Sequence, residues 1–171
     1  EGSFLHAKSL FLESPGYELD QTNTVSALES IQDFINRYPE SKFKAETENM
    51  SQVLQKKLEN KAFESARLYY QLRYNQAAVV ALTNFQQQYP ASAYAEQAAF
   101  LRLAERVEAA GLERIGAPHV KHLAHYGIGY YKQFIDGFPK SKNLKAAQDM
   151  YDISQAQIVR LKPATTAAAS N

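Results

Sequence analysis

The chain has 171 residues, and its 19 Lys and Arg side chains almost balance 18 Asp and Glu, which leaves a formal net charge of +1. This balance argues against nucleic acid as a partner, because proteins that bind it carry a marked basic excess. Only seven glycines and six prolines accompany 45% hydrophobic residues, a composition that favours a helical core over a many-stranded barrel or a disordered chain. The absence of cysteine excludes a disulfide framework and thiolate-bound zinc.

The first predicted elements are a helix over 4–12 and a polar loop over 13–24. Asn23 or Thr24 is expected to cap a second helix, which ends at Pro39 because the residue before a proline leaves the α region. Residues 41–73 contain no Gly or Pro and keep a helical period, so they predict one long helix or two nearly collinear ones, with Asn60 as the expected irregularity.

A short turn at Tyr74 and Asn75 then leads into a helix over 76–89, and a further helix covers 92–110. A helix over 119–138 follows, in which Gly127 and Gly129 are expected weak points, and an amphipathic capping helix covers 141–161. Residues 163–171 are expected to form a disordered tail. The longest wholly apolar run covers only 77–82, so no membrane span is predicted.

Three segments of the chain align without gaps and end at Pro39, Pro90 and Pro139. Each has apolar residues on one helix face, with an equivalent core phenylalanine (Phe34, Phe85 and Phe134). A serine two residues after each proline (Ser41, Ser92 and Ser141) is a predicted N-cap of the next helix. The repeats predict an all-α fold, a tetratricopeptide-like αα-hairpin superhelix over 1–162 with a closing C-terminal helix.

The middle repeat resembles the tetratricopeptide pattern at Ala66, Tyr69, Ala78, Leu82 and Pro90, although the proline spacing exceeds the roughly 34 residues of a strict repeat. Three short stretches carry a narrower resemblance: LESP at 12–15, LDQTNT at 19–24 and FINRYP at 34–39. With the long helix and its two tyrosines at 69 and 70, they resemble the BamD-like family of outer-membrane β-barrel assembly lipoproteins, in its Bacteroidetes-type form. The resemblance covers residues 4–161.

The resemblance implies five tetratricopeptide-type units and a periplasmic body, held on the outer membrane of a Gram-negative bacterium by a lipidated N-terminal cysteine. This chain would be a C-terminal fragment with the last three units, so the lipid anchor, its only implied membrane attachment, lies outside it. The resemblance also implies a non-enzymatic scaffold whose C-terminal part docks on the periplasmic POTRA domains of BamA and contacts other subunits of the assembly complex.

The candidate partner surface combines cationic and aromatic residues, the types enriched at binding hot spots. Neighbouring tyrosines at 69–70 and 130–131 lie about 100° apart on a helix, so both members of a pair cannot face one narrow stripe. Tyr69, with Ala62 and Ala66, is expected to face the hairpin. One tyrosine of each pair, Tyr70 in the first, is then left for a second interface. The predicted partner-binding residues are Arg67, Tyr70, Arg73, Tyr74 and Tyr130.

Other chemistry finds little support in the sequence. His119, His122 and His125 have spacings that bring only two imidazoles to one ion, and no acidic residue lies within 116–133, so no metal, cofactor or catalytic residue is predicted. His6 is expected to be a half-buried packing residue. Two alternatives stay open: another periplasmic or cell-envelope tetratricopeptide adaptor, and a small metal protein that uses the histidine cluster.

Overall fold

The computed structural model describes residues 1–111 and 117–161, and within them the chain forms seven α-helices and no strand. The predicted all-α, tetratricopeptide-like fold is confirmed. The predicted tail at 163–171 lies outside the described residues. The helices are α1 (Gly2–Glu13), α2 (Thr22–Arg37), α3 (Lys44–Gln71), α4 (Asn75–Gln88), α5 (Ala95–Ala110), α6 (Ala117–Gly137) and α7 (Leu144–Arg160).

The chain divides into two compact units, Glu1–Glu64 and Ser65–Asn171, and the division falls within α3. Each unit has buried apolar clusters of its own. The prediction of one repeat domain over 1–162 stays a prediction.

In the first unit, α1 and α2 run antiparallel, since the Phe4 ring lies 5.9 Å from that of Phe34 while Ser14 Oγ lies 2.7 Å from Thr24 Oγ1. The first part of α3 runs parallel to α1, because contacts to α3 advance along both helices, from Lys8 with Glu46 to Ser14 with Lys57. This is the helix order of a tetratricopeptide array. The core between the three helices consists of Ala7, Ala27, Ile31, Met50 and Leu54.

In the second unit, successive helices from α4 to α7 are antiparallel. For α5 and α6, Arg102 contacts Gln133. Arg106, one turn further along α5, lies over Tyr126, which is about two turns earlier in α6. Residues buried between α5, α6 and α7 form the main core, and a smaller cluster lies where α5 ends and α6 begins. The two clusters are Ala99, Leu103, Val107, Phe134 and Ala147, and Ala109, Ala110 and Leu123.

The proline-ended turn recurs three times with nearly the same geometry. The residue before each proline, at 38, 89 and 138, donates its backbone N–H to the carbonyl of the core phenylalanine four residues earlier, at 2.8–2.9 Å. Its ring also lies 5.4–5.6 Å from the ring of that phenylalanine. Phe34, Phe85 and Phe134 are 4%, 2% and 0% exposed. The predicted helix ends and the equivalence of the three core positions are confirmed.

The serines after the prolines cap a turn rather than the helix itself. The Oγ atoms of Ser41, Ser92 and Ser141 accept backbone N–H groups two residues on, at 2.9–3.2 Å. The α-helices α3, α5 and α7 begin three residues after these serines. The predicted capping role is therefore correct in kind, but it acts on the turn that leads into each helix.

Three local predictions are wrong. Helix α3 continues through Asn60 without a break, and α6 continues through both Gly127 and Gly129. Gly127 serves close packing instead, because a Cβ there would lie 2.9 Å from Ser154 Oγ of α7. Helix α2 begins at Thr22, so Asn23 and Thr24 are not its cap; the Thr22 N–H is held by Asp20 Oδ1 at 2.9 Å.

None of the helices within the described residues combines the length and the apolar character that crossing a membrane requires.

Candidate protein interaction surface

Helix α3 ends in a tight turn whose backbone is strained at Arg73. The Tyr74 N–H bonds the Tyr69 carbonyl and the Arg73 N–H bonds the Tyr70 carbonyl, both at 3.0 Å, which is the Schellman pattern of helix ends. Arg73 occupies the left-handed position of this motif with φ 60°, where glycine is the usual residue. It is the one non-glycine residue with a positive φ in the described chain. An arginine at a position that favours glycine points to a role for its side chain.

The side chains of Arg73 and Tyr70 converge on Glu108 of α5. Tyr70 Oη donates to Glu108 Oε1 at 3.0 Å, and Arg73 Nη1 pairs with Glu108 Oε2. The ion pair is exposed, so it contributes at most about 1 kcal/mol. Burial raises the pKa of the Tyr70 hydroxyl, and the positive charge of Arg73 opposes the rise. We call Tyr70, Arg73, Tyr74 and Glu108 the α3 turn surface.

The other predicted partner-binding residues are only partly brought to this surface. Tyr74 follows Arg73 and is 58% exposed, whereas Arg67 is half-buried one turn earlier in α3. Tyr130 lies on α6 with its ring 4.3 Å from the Arg102 guanidinium, and in the described residues no hydrogen bond or ring contact joins it to the α3 turn surface.

The expected burial of Tyr69 against the hairpin is wrong, because its side chain is 43% exposed. Tyr70, expected at a second interface, is half-buried and bonds Glu108, and its contact with a partner stays a prediction. Phe63 and Ala66, at 1% and 2% exposed, take the buried face. Ala66 lies on the buried face as predicted, but Phe63 takes the place expected for Ala62, and Tyr69 turns outward, because adjacent residues of a helix differ by about 100°.

A cleft of about 450 Å³, which sequence reasoning missed, lies between the start of α4, the end of α5 and the start of α6. Its walls are formed by Asn75, Gln76, Val79, Glu105, Arg106, Ala109, His119, His122, Leu123 and Tyr126. Glu105 is 1% exposed, and within residues 1–111 and 117–161 neither of its carboxylate oxygens has a hydrogen-bond partner. Burial raises the pKa of this carboxyl, and the charges of Arg73 and Arg106 oppose the rise without bonding it.

The sequence signal for this buried carboxylate is the composition of α5. Ten of its residues are buried, six of them alanines, so the helix is enclosed on most of its surface and its charged residues are carried inside. Arg102 is 9% exposed for the same reason, and burial lowers the pKa of its guanidinium. Arg102 donates to Gln133 Oε1 at 2.7 Å, and Arg102 and Arg106 stack over Tyr130 and Tyr126.

The histidines are exposed and make local contacts. His125 Nδ1 lies 2.7 Å from the Lys121 carbonyl, and the His122 ring meets the Tyr126 ring edge-on at 4.7 Å. His119 and His122 also line the 450 Å³ cleft described above, which we call the Glu105 cleft. Within the described residues no three His, Cys, Asp or Glu side chains are grouped so that they could hold a metal ion. His6 was expected to be half-buried, but it is exposed on α1.

The antiparallel helix pairs, whose second helices end at a proline, give the chain an all-α, tetratricopeptide-like fold. The chain belongs to the YfiO family, the BamD-type outer membrane lipoproteins, whose family model matches residues 1–123. The match covers α1 to α5 and the beginning of α6. No curated protein matches the chain.

Proposed function

We propose that the protein is a non-enzymatic scaffold subunit of the machinery that assembles outer-membrane β-barrel proteins. It docks on the periplasmic POTRA domains of BamA, on the periplasmic side of the outer membrane, and the whole protein is attached there by a lipid. The observation that carries the proposal is the family match over 1–123, which includes the most specific part of the resemblance, the loop over 13–24.

The ordered state of that loop supports a BamD-type role over another envelope adaptor. Lys57 Nζ donates to Ser14 Oγ at 2.6 Å, and Lys61 Nζ donates to the Leu19 carbonyl at 2.7 Å. Gln21, 8% exposed, closes the loop by donating to the Gly16 and Leu19 carbonyls. Side chains of α3 thus hold a segment that a generic repeat does not need, and it leaves Leu19 62% exposed.

The α3 turn surface is the proposed BamA contact, because it joins two tyrosines with an arginine kept at a strained position. Aromatic and arginine side chains dominate binding energy at protein interfaces. The bond to Glu108 orients the guanidinium before binding, which reduces the entropy lost on association. Arg67, one turn earlier in α3, and Tyr130, on α6, are proposed as secondary contacts.

The test measures binding of the chain to the purified periplasmic domains of BamA from the same organism, by biolayer interferometry. We expect Tyr70→Ala and Arg73→Gly each to weaken binding by about thirtyfold, equivalent to ~2 kcal/mol, mainly through a faster off-rate. Arg73→Gly removes the guanidinium while it suits the backbone, so a loss of binding cannot be blamed on misfolding. Lys132→Ala, at an exposed position of α6, is the matched control.

Two failures have different meanings. If the parent chain does not bind the BamA domains, the proposed function is wrong. If the parent binds and both variants stay within about twofold of it, the function stands and the α3 turn surface is not the contact. Tyr130→Ala and Tyr151→Ala then test the last helix pair, where Tyr130 packs against the core and the Tyr151 ring lies 4.6 Å from that of Tyr131.

A further inference from the structure

The Glu105 cleft holds a buried acidic group that the fold leaves without a partner. Within the described residues both carboxylate oxygens are covered and unbonded, although burying a polar group without a hydrogen bond is destabilising and burying an ionised group is more so. The cations of the same unit that influence it are already engaged: Arg73 pairs with Glu108, and Arg106 lies 5.4 Å from the centre of the Tyr126 ring. The carboxylate therefore has free acceptor capacity inside a cleft.

We propose that this cleft binds an arginine side chain of a partner polypeptide, with Glu105 as its counter-ion. A guanidinium has two parallel N–H donors that match the two oxygens of one carboxylate, and here both oxygens are free. The buried wall residues Val79, Ala109 and Leu123 provide apolar contacts for the aliphatic stem of such a side chain.

The source of the arginine is a polypeptide rather than a free small cation, because the cleft adjoins exposed groups that suit a chain. Tyr126, 46% exposed, lies at its wall, and Asn75 and Gln76 provide amide groups for backbone contacts. Glu105 and Glu108 are three residues apart on α5 and so lie on neighbouring positions of one helix face. A partner on the α3 turn surface can therefore extend into the cleft; this continuity rests on the proposed function, but the arginine site does not.

Arg106 is the group expected to give way when the ligand enters. Its guanidinium lies over Tyr126 and, within the described residues, its Nε is buried without a hydrogen bond. A change of rotamer therefore breaks the ring contact and gives up the attraction between its charge and Glu105, which the incoming guanidinium restores. The same movement removes the cation closest in sequence to Glu105 and lets the incoming guanidinium replace it.

The test uses the whole chain, labelled with ¹⁵N, and titrates it with the peptide acetyl-Ala-Arg-Ala-amide. The matched control peptide carries citrulline, an uncharged urea of nearly the same shape that keeps three of the five N–H groups of arginine. A third peptide carries glutamate. We expect the arginine peptide to shift the amide signals of Val79, Ala109, Leu123 and Tyr126. The citrulline peptide should bind at least tenfold more weakly. Glu105→Gln keeps the size and shape of the side chain, and it should lower the affinity for the arginine peptide to that of the citrulline peptide.

Two results with the peptides would overturn the proposal. Equal binding of the arginine and citrulline peptides would show that charge plays no part, and stronger binding of the glutamate peptide would assign the cleft to Arg106 instead. Should Glu105→Gln fail to fold, as judged by circular dichroism, Gln76→Trp tests the same site by placing a large ring at the exposed edge of the cleft. Unchanged arginine binding in that variant would contradict the site.

These outcomes are separable from the docking on BamA. Loss of the BamA interaction with intact arginine-peptide binding removes the proposed function and leaves the cleft. Loss of peptide binding with an intact BamA interaction does the reverse.

Discussion

Glu105 carries a charge that the fold encloses, and within the described residues its carboxylate has no hydrogen bond. Because burial raises its pKa in the folded state, the unfolded chain releases this proton at a lower pH than the folded protein does. Between the ordinary glutamate pKa, about 4.3, and the raised folded value, the native state therefore holds more protons than the unfolded state, and stability falls as pH rises.

We therefore expect Glu105→Gln to raise the free energy of unfolding at pH 7–8 and to lose that advantage below about pH 4, where Glu105 is protonated in both states. Urea denaturation of both proteins across this pH range measures the difference. Asp149→Asn, at an exposed position of α7, is the control and should track the parent. A constant difference between Glu105→Gln and the parent at every pH would contradict the assignment of the burial cost to this charge.

Two substitutions of Arg73 separate the cost of its strained backbone from the stability that its ion pair with Glu108 contributes. Arg73→Ala and Arg73→Gly both remove the pair with Glu108, but only glycine suits φ 60° without a Cβ penalty. The glycine variant should therefore be more stable than the alanine variant by about 1 kcal/mol, as measured by the midpoint of urea unfolding. Equal midpoints would show that the left-handed residue carries no strain in this turn.

At the scale of helices, the unit of construction is the proline-ended turn with its buried phenylalanine. Phe85, 2% exposed on α4, is the central copy, and its ring lies 5.4 Å from that of Tyr89. Replacing it with alanine removes buried apolar surface and leaves a cavity, so Phe85→Ala should destabilise the protein by about 3–5 kcal/mol. Val80→Ala on the same helix, where the side chain is 58% exposed, should change stability by less than about 0.5 kcal/mol. An unchanged urea midpoint for Phe85→Ala would contradict the equivalence of the three repeats.

The helix pairs were predictable because proline and the apolar period act locally. The ends of α2, α4 and α6 and the burial of Phe34, Phe85 and Phe134 follow from those two signals alone. The tyrosine faces of α3 were not predictable in the same way, since an error of one residue in phase exchanges Tyr69 with Tyr70.

The candidate site was predictable only in part. Tyr70, Arg73 and Tyr74 were found because they share a helix end and a hot-spot composition. Their link to Glu108 and the cleft at Glu105 depend on α5 approaching from elsewhere in the chain, and a periodicity argument places charged residues in solvent. The alanines of α5 were the available sign that its charged residues are enclosed.

At the scale of the whole molecule, the chain consists of two compact units with separate cores. Stability in repeat proteins is approximately the sum of the stability of each repeat and the coupling between adjacent repeats, so whether the two units unfold independently can be measured.

Leu54, fully buried on α3 within the core of the first unit, provides the test of that independence. Leu54→Ala removes part of a side chain that packs with Ala7, Ala27 and Ile31, and we expect a loss of about 2–5 kcal/mol in the unit it belongs to. Hydrogen exchange should then accelerate through α1 and α2, while α6 and α7 keep the protection that they have in the parent. The reciprocal change is Leu103→Ala in the core of the second unit, which should accelerate exchange in α6 and α7 and spare α1 and α2. If either variant accelerates exchange equally along the whole chain, the two units unfold as one, and the single repeat domain expected from the sequence is the better description.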